Sequence, residues 1–289
     1  MYDKKNLKIV VFDLDETLGC FNELGIFWES LEKYAGHNLL PDHFYEVMAL
    51  FPEFLRPNIL PILKYVQLKK DQGKCDKVMI YTNNQGPRSW TTMISEYLSR
   101  QLAATANEPA GKEPAGSLFD NIIAAFKVRG KVVEIGRTSH EKNVDDLVRC
   151  TRVPSNTEIC FIDDQFHSLM DHENVYYINV KPFWYSLSFK AMADRYYELK
   201  AAELAAAGIE KADFVKKIAE YMSAYNFTVV EKSDAEKKVD EIVGAKIMSH
   251  LEEFFADRAP HNTSTAAAQT RRKKMKRAKN QRTMKRTRR

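Results

Sequence analysis

The sequence predicts an α/β fold: a parallel sheet with helices on both faces, a small helical insert after the first strand, and a helical C-terminal extension. Three observations carry this prediction. Short apolar runs rich in β-branched and aromatic residues alternate with segments of helical periodicity along the first two thirds of the chain, the pattern of strands joined by crossover helices. Three of those runs stop abruptly at carboxylate, hydroxyl or amide residues, as strands do where their carboxyl ends form the ligand-binding edge of an open sheet. Beyond residue 187 the periodicity is helical.

The first run, Ile9-Val10-Val11-Phe12, is a buried strand by composition and ends in Asp13-Leu14-Asp15-Glu16-Thr17. Residues 19–55 follow as an aromatic-rich insert, in which Phe44, Val47, Met48 and Phe51 recur at helical spacing after the helix-start pair Pro41-Asp42. Such an insert suits either a small cap over the strand end or a helical pair packed on the body. Lys77-Val78-Met79-Ile80-Tyr81 is the second strand, terminating in Thr82-Asn83-Asn84, and Trp90, Met93, Ile94, Tyr97 and Leu98 mark an amphipathic helix after it. Residues 105–117, rich in Pro, Ala, Gly and Glu, form a loop without periodicity, expected to be mobile. Further strands are predicted at 118–126, 158–162 and 175–180, the middle one ending in Asp163-Asp164. Before it, Ser139 precedes a helical pattern (Val144, Leu147, Val148) whose first turn contains Lys142. Near the C-terminus, Ser233 and Glu236 form a capping box ahead of Val239, Ile242, Val243, Ile247, Leu251 and Phe254, a stripe expected to pack on the body.

This organisation divides the 289 residues into an α/β body at 1–187, the helical extension at 188–258 and a basic tail at 259–289. Residues 271–289 hold 12 of the 44 lysines and arginines and no acid, leaving 32 basic residues against 39 acidic ones elsewhere. The body is therefore acidic and a poor nucleic-acid platform, whereas the tail suits nucleic acid, an acidic partner or nuclear import. Its charge density disfavours independent folding, so disorder is expected from about His261 onward. Four scattered cysteines without a C-x-x-C pair argue against a zinc site or a disulfide framework. No apolar run approaches the length of a membrane span and no signal-peptide pattern is present, so an intracellular protein, nuclear or cytoplasmic, is expected.

Acids, hydroxyl, lysine and paired acids thus follow one another, each at or beside the end of a core element. In isolation Thr82 fits a turn residue and Lys142 a solvated helix face. In this order, Asp13-x-Asp15-Glu16-Thr17, Thr82, Lys142 and Asp163-Asp164 resemble the four motifs of the haloacid dehalogenase superfamily, whose members mostly transfer phosphoryl groups through an aspartyl intermediate. Glu16 together with Phe54-Leu55-Arg56-Pro57-Asn58-Ile59-Leu60-Pro61-Ile62-Leu63 is similar to the NLI-interacting-factor type, which includes phosphatases of the RNA polymerase II carboxy-terminal domain.

The resemblance covers roughly the first two thirds of the chain and implies a Rossmann-like fold and a Mg²⁺-dependent phosphatase. It assigns Asp13 as nucleophile and metal ligand, Asp15 as general acid and base and, through its backbone carbonyl, a metal ligand, and Asp163 and Asp164 as further metal residues. Thr82, Asn83 and Lys142 are the residues it implies for binding the phosphoryl group. Carboxylates repel a phosphate dianion by about 4 kcal/mol per contact near 4 Å at an effective dielectric of 20, so a hard cation such as Mg²⁺ is required. Asp15 sets this chain apart from dehalogenases and P-type ATPases, which lack an acid two residues after the nucleophile. Two departures bear on substrate: a helical insert replaces the strand-rich sequence of polymerase-domain phosphatases, and Thr82-Asn83-Asn84-Gln85-Gly86 stands where those often carry Thr-Ala-Ser. A phosphoprotein is the first substrate expected. The alternatives are a nucleic-acid end bearing a 3′-phosphate, a small phosphate ester, or a binding protein without turnover.

Overall fold

Five parallel strands form the central sheet of the computed structural model, which describes residues 6–104, 116–225 and 229–256. In chain order the strands are β1 (Lys8–Phe12), β2 (Lys77–Tyr81), β3 (Asn121–Ile123), β4 (Lys127–Val128), β5 (Lys131–Val132), β6 (Glu158–Asp163) and β7 (Val175–Asn179). The sheet order is β3-β2-β1-β6-β7, while β4 and β5 pair as a separate antiparallel hairpin. The chain steps outward from β1 to β2 and β3, then returns to the other side of β1 with β6, which opens a crevice at the carboxyl ends of β1 and β6. Register sets the height of that crevice: Phe12 pairs with Ile80 of β2 and Ile162 of β6, so Asp13, Tyr81 and Asp163 arrive at one level.

Helices cover both faces, as the sequence predicts for a Rossmann-like sheet. They are α1 (Asn22–Ala35), α2 (Pro41–Leu50), α3 (Ile59–Asp71), α4 (Arg88–Ala104), α5 (Val144–Thr151), α6 (Phe189–Leu199), α7 (Ala201–Ala206), α8 (Lys211–Ser223) and α9 (Asp234–Phe255). Val10, Phe12, Val78, Ile80, Cys160 and Ile162 point into the larger core, and Ile9, Val11, Met79, Tyr81 and Phe161 into a smaller one closed by Val144 and Leu147 of α5. Burial on both faces is why these strands are continuous apolar runs rather than alternating ones. Among the described residues, no helix is long and apolar enough to cross a membrane.

The insert at 19–55 consists of α1, α2 and a short 3₁₀ turn at Pro52–Phe54. Its aromatic residues are part of the large core: Phe44 meets Trp28 and Trp90 edge-on, and Phe27 meets Phe51 and Tyr196 in the same way. The helical region after residue 187 shares that core through Met192, Phe214, Ile218, Ile247 and Leu251, and residues up to Phe255 form one unit. The expected mobile loop at 105–117 falls largely on residues 105–115, which lie outside the described residues, as does the whole of the basic tail at 259–289 and its expected disorder.

Three local expectations are corrected. The strand predicted over 118–126 is only Asn121–Ile123, because Phe126 turns away to pack its ring edge-on against His140 and the chain enters the hairpin, which reverses at Arg129-Gly130 with positive φ at both. The cap of α5 is Asn143, whose side chain accepts from the Asp146 amide at 2.7 Å, so Ser139 does not start the helix and Lys142 precedes it. On α9 the capping box forms as predicted, with the Ser233 amide donating to Glu236 and the Glu236 amide to Ser233 Oγ. Val239 and Ile242 nevertheless face solvent, while Asp240 and Gly244 are buried. At Gly244 the helix approaches the body too closely for a side chain, since a Cβ there would lie 2.5 Å from the Pro57 carbonyl oxygen, and Asp240 is buried in an ion pair with Lys232.

Candidate functional site

At the crevice, ligand oxygens of Asp13, Asp163 and Asp164 lie within 4.8 Å of one another, a set that could hold a metal ion. Asp13 and Asp163 are buried and Asp164 is half-buried. Asp13 follows β1, where its amide donates to the Ile162 carbonyl at 2.8 Å, and Asp163 closes β6 with one carboxylate oxygen accepting from the Gln165 amide at 2.8 Å. Asn179, at the end of β7, donates to the carbonyls of Asp163 and Asp164 and ties the third strand end to the pocket.

Lys142 enters from the loop before α5. Its side chain is 2% exposed and its Nζ donates to Asp13 Oδ1 and, at 2.7 Å, to Asp163 Oδ2. The solvated-face alternative is thereby excluded, and the other oxygen of Asp13 has no hydrogen-bond partner among the described residues. Three carboxylates against one ammonium leave the pocket net negative. All its donors are oxygen, the chemistry that suits a hard divalent cation such as Mg²⁺. The Asp15 carboxylate stands apart from this set and accepts from Asn84 Nδ2 at 2.7 Å.

Thr82 is buried immediately after β2. Its hydroxyl accepts from the Asn84 amide at 3.0 Å, and its carbonyl takes one arm of Arg137 at 3.0 Å. Asn83 Oδ1 is buried without a hydrogen-bond partner among the described residues, and Asn84 Oδ1 accepts from the Gly86 amide, so the turn presents Asn84 toward Asp15. Arg137 also donates to the carbonyls of Ala124 and His140, joining the end of β2 to the loop that carries Lys142.

The loop after Asp15 is set by close backbone contacts. Glu16 has φ 60°, its amide donates to the Gly19 carbonyl at 2.7 Å, and a Cβ on Gly19 would fall 2.6 Å from the Phe54 carbonyl oxygen, which only glycine avoids. Thr17 Oγ1 donates to Asp164 Oδ1 at 3.2 Å and accepts from the Asp164 amide at 3.1 Å, bonding the loop after β1 to the loop after β6.

Burial and mutual repulsion shape the protonation of these acids. Burial pushes the Asp15 carboxyl up to about 6, opposed by the Asn84 hydrogen bond and reinforced by Asp13. Burial also raises Asp163, which Lys142 opposes, and lifts Asp164 to about 6 with the help of Asp13 and Glu16. His167, buried with Nε2 3.6 Å from Asp163 Oδ2, is pushed down to about 4 by burial and by the Lys142 charge, so it is neutral at pH 7.

The crevice brings together Asp13, Asp15, Thr82, Lys142, Asp163 and Asp164, with Asn83 beside Thr82. Sequence reasoning missed Arg56, Arg137 and Asn84 as parts of the site. Arg137 and Arg56 act on backbone carbonyls, which leave no pattern in the chain; for Asn84, position two residues beyond Thr82 was the available signal. Comparisons with protein-family models, curated proteins and solved structures gave no match.

Proposed function

We propose that the chain is a Mg²⁺-dependent phosphatase that hydrolyses phosphate monoesters through an aspartyl-phosphate intermediate, as the motif resemblance implies, with a phosphoprotein as its most suitable substrate. The observation that carries this reading is one crevice holding Asp13 and Asp15 just after β1, Asp163 and Asp164 at the end of β6, and Lys142 bonded across Asp13 and Asp163.

Asp13, Asp163 and Asp164, with the Asp15 carbonyl, would hold the Mg²⁺, which supplies positive charge against the carboxylates and the phosphoryl oxygens. The free oxygen of Asp13 attacks phosphorus as the bond to the leaving oxygen breaks. Asp15, oriented by Asn84, gives its proton to that leaving oxygen. It then takes a proton from the water that attacks the phosphorus of the intermediate, returning Asp13 and releasing phosphate. Thr82 and Lys142 hold the phosphoryl oxygens, and Asn83, with its buried unpartnered oxygen beside Thr82, lies next to that subsite.

The Thr82-Asn83-Asn84-Gln85 run and the basic residues at 271–289 favour a second reading, a phosphatase for nucleic-acid 3′-ends whose tail holds the polymer. On the first reading the tail is a tether to an acidic partner or a nuclear-import signal, placing the protein in the nucleus or cytoplasm. Phosphate release from a phosphopeptide, a 3′-phosphorylated oligonucleotide and nitrophenyl phosphate, each with and without Mg²⁺, separates these readings. Release that is Mg²⁺-dependent and lost in Asp13→Asn is expected; no release from any substrate overturns the enzyme reading.

A further inference from the structure

We infer that Arg56 is a positioning residue for the cation pocket, acting through Thr17 on Asp164. This rests on the reading above that the pocket takes a divalent cation. Arg56 is 1% exposed and is the largest fully buried side chain among the described residues. Nε donates to the Thr17 carbonyl at 2.6 Å, while Nη2 donates to the Lys181 carbonyl at 2.9 Å and to the Glu16 carbonyl. One planar cation therefore joins the loop after β1 to the loop after β7, on the two sides of the crevice.

The arrangement is costly, and the cost points to a purpose. The guanidinium is buried and bonded only to carbonyls, with Asp240 and Asp164 acting on its charge without a direct ion pair, and Nη1 has no hydrogen-bond partner among the described residues. Glu16 is held at φ 60°, a left-handed conformation that strains a non-glycine residue. Its carbonyl accepts both Arg56 and the Phe183 amide, the latter at 2.9 Å, so the strained turn is clamped from two directions.

The next residue transmits that clamp. With its carbonyl pinned by Arg56, Thr17 presents Oγ1 to Asp164 as both donor and acceptor, at 3.2 and 3.1 Å. Two short steps thus separate the guanidinium from a carboxylate of the pocket. Behind it, the guanidinium lies 5.6 Å from the Phe183 ring, and Lys232 lies 4.2 Å from the same ring while its ammonium pairs with Asp240 of α9. The C-terminal helix therefore backs the clamp.

The test is Mn²⁺ affinity, measured by titration calorimetry on the full chain, for wild type, Arg56→Lys, Thr17→Val and the double variant, with thermal melts to establish folding. A lysine supplies one point charge in place of the fork that grips three carbonyls. Each single change is expected to weaken Mn²⁺ binding tenfold or more. The double variant is expected to be no more than threefold weaker than either single, because both break one route. A folded Arg56→Lys with lower melting temperature and unchanged Mn²⁺ affinity would show a purely structural arginine and overturn the inference, as would fully additive losses. If Arg56→Lys does not fold, Phe183→Leu keeps the guanidinium and removes the ring behind it. A threefold or larger loss is then expected, and unchanged affinity overturns the inference. Wild type that binds no Mn²⁺ would remove the cation-pocket reading itself and the inference with it, whereas wild type that binds and variants that bind equally well defeat the inference alone.

Discussion

Replacing Lys142 with methionine removes the ammonium that bonds Asp13 and Asp163 while filling nearly the same volume. The ammonium lies 2.7 Å from Asp163 and also bonds Asp13, with a side chain 2% exposed. At an effective dielectric of 20, a pair at that distance attracts by about 6 kcal/mol, most of it offset by desolvation. Removing one partner of a buried pair costs about 3–5 kcal/mol, and the upper end is expected here because two carboxylates lose their counter-charge. Three quantities should then change, two falling and one rising. Metal-free stability in urea falls by about 4–5 kcal/mol at pH 8, where protonation rescues the acids least. Mn²⁺ affinity rises tenfold or more, because the competing ammonium is gone. Turnover at saturating Mg²⁺ falls about 10²–10³-fold, the loss typical of one donor to a developing charge. A Lys142→Met protein with wild-type stability and wild-type Mn²⁺ affinity would refute the electrostatic reasoning, whatever its activity.

Asp15→Asn leaves the pocket carboxylates in place and removes the proton donor, so turnover should fall about a hundredfold or more, least for nitrophenyl phosphate, whose leaving group needs little protonation; equal losses across leaving groups of widely different basicity would contradict the acid role where formation of the intermediate limits the rate. Glu23, buried on α1, has its carboxyl pushed up to about 8 by burial, against the Leu187 amide that donates to it. Since the folded value lies above the unfolded 4.5, the native state keeps a proton that the unfolded chain releases; its contribution to stability is complete below about pH 4.5 and lost as pH rises through 8, by about 5 kcal/mol in all. Glu23→Gln should therefore match wild type at pH 4 and exceed it by several kcal/mol at pH 8.5 in urea titrations, and parallel curves would show Glu23 to be ionised in the fold. Deleting residues 271–289 should leave nitrophenyl phosphate hydrolysis unchanged while sharply reducing salt-sensitive oligonucleotide binding; lost ester hydrolysis would give the tail a part in folding or in the site.

The α/β class, the positions of β1, β2, β6 and β7, and the capping box of α9 were legible because each depends on local chemistry. A strand buried on both faces must be apolar throughout, and a serine three residues before a glutamate can satisfy free amides without help from the rest of the chain. The acids at the ends of β1 and β6 were legible for a related reason, since charge at the end of a buried strand interrupts its composition. What the chain alone did not reveal depends on which loops become neighbours. The shortening of β3 follows from Phe126 packing on His140, the inward turn of Gly244 from the closeness of α9 to Pro57, and that of Asp240 from its buried ion pair with Lys232. Lys142 was already placed at the site by the order of the motifs; what the fold adds is its pairing with both Asp13 and Asp163, which are brought side by side because β1 and β6 are adjacent in the sheet, although 129 residues separate Asp13 from Lys142 in the chain. Arg56 and Arg137 were invisible as site residues because a guanidinium that binds backbone carbonyls places no demand on the identity of its partners; only the tertiary fold brings those carbonyls within reach of one side chain.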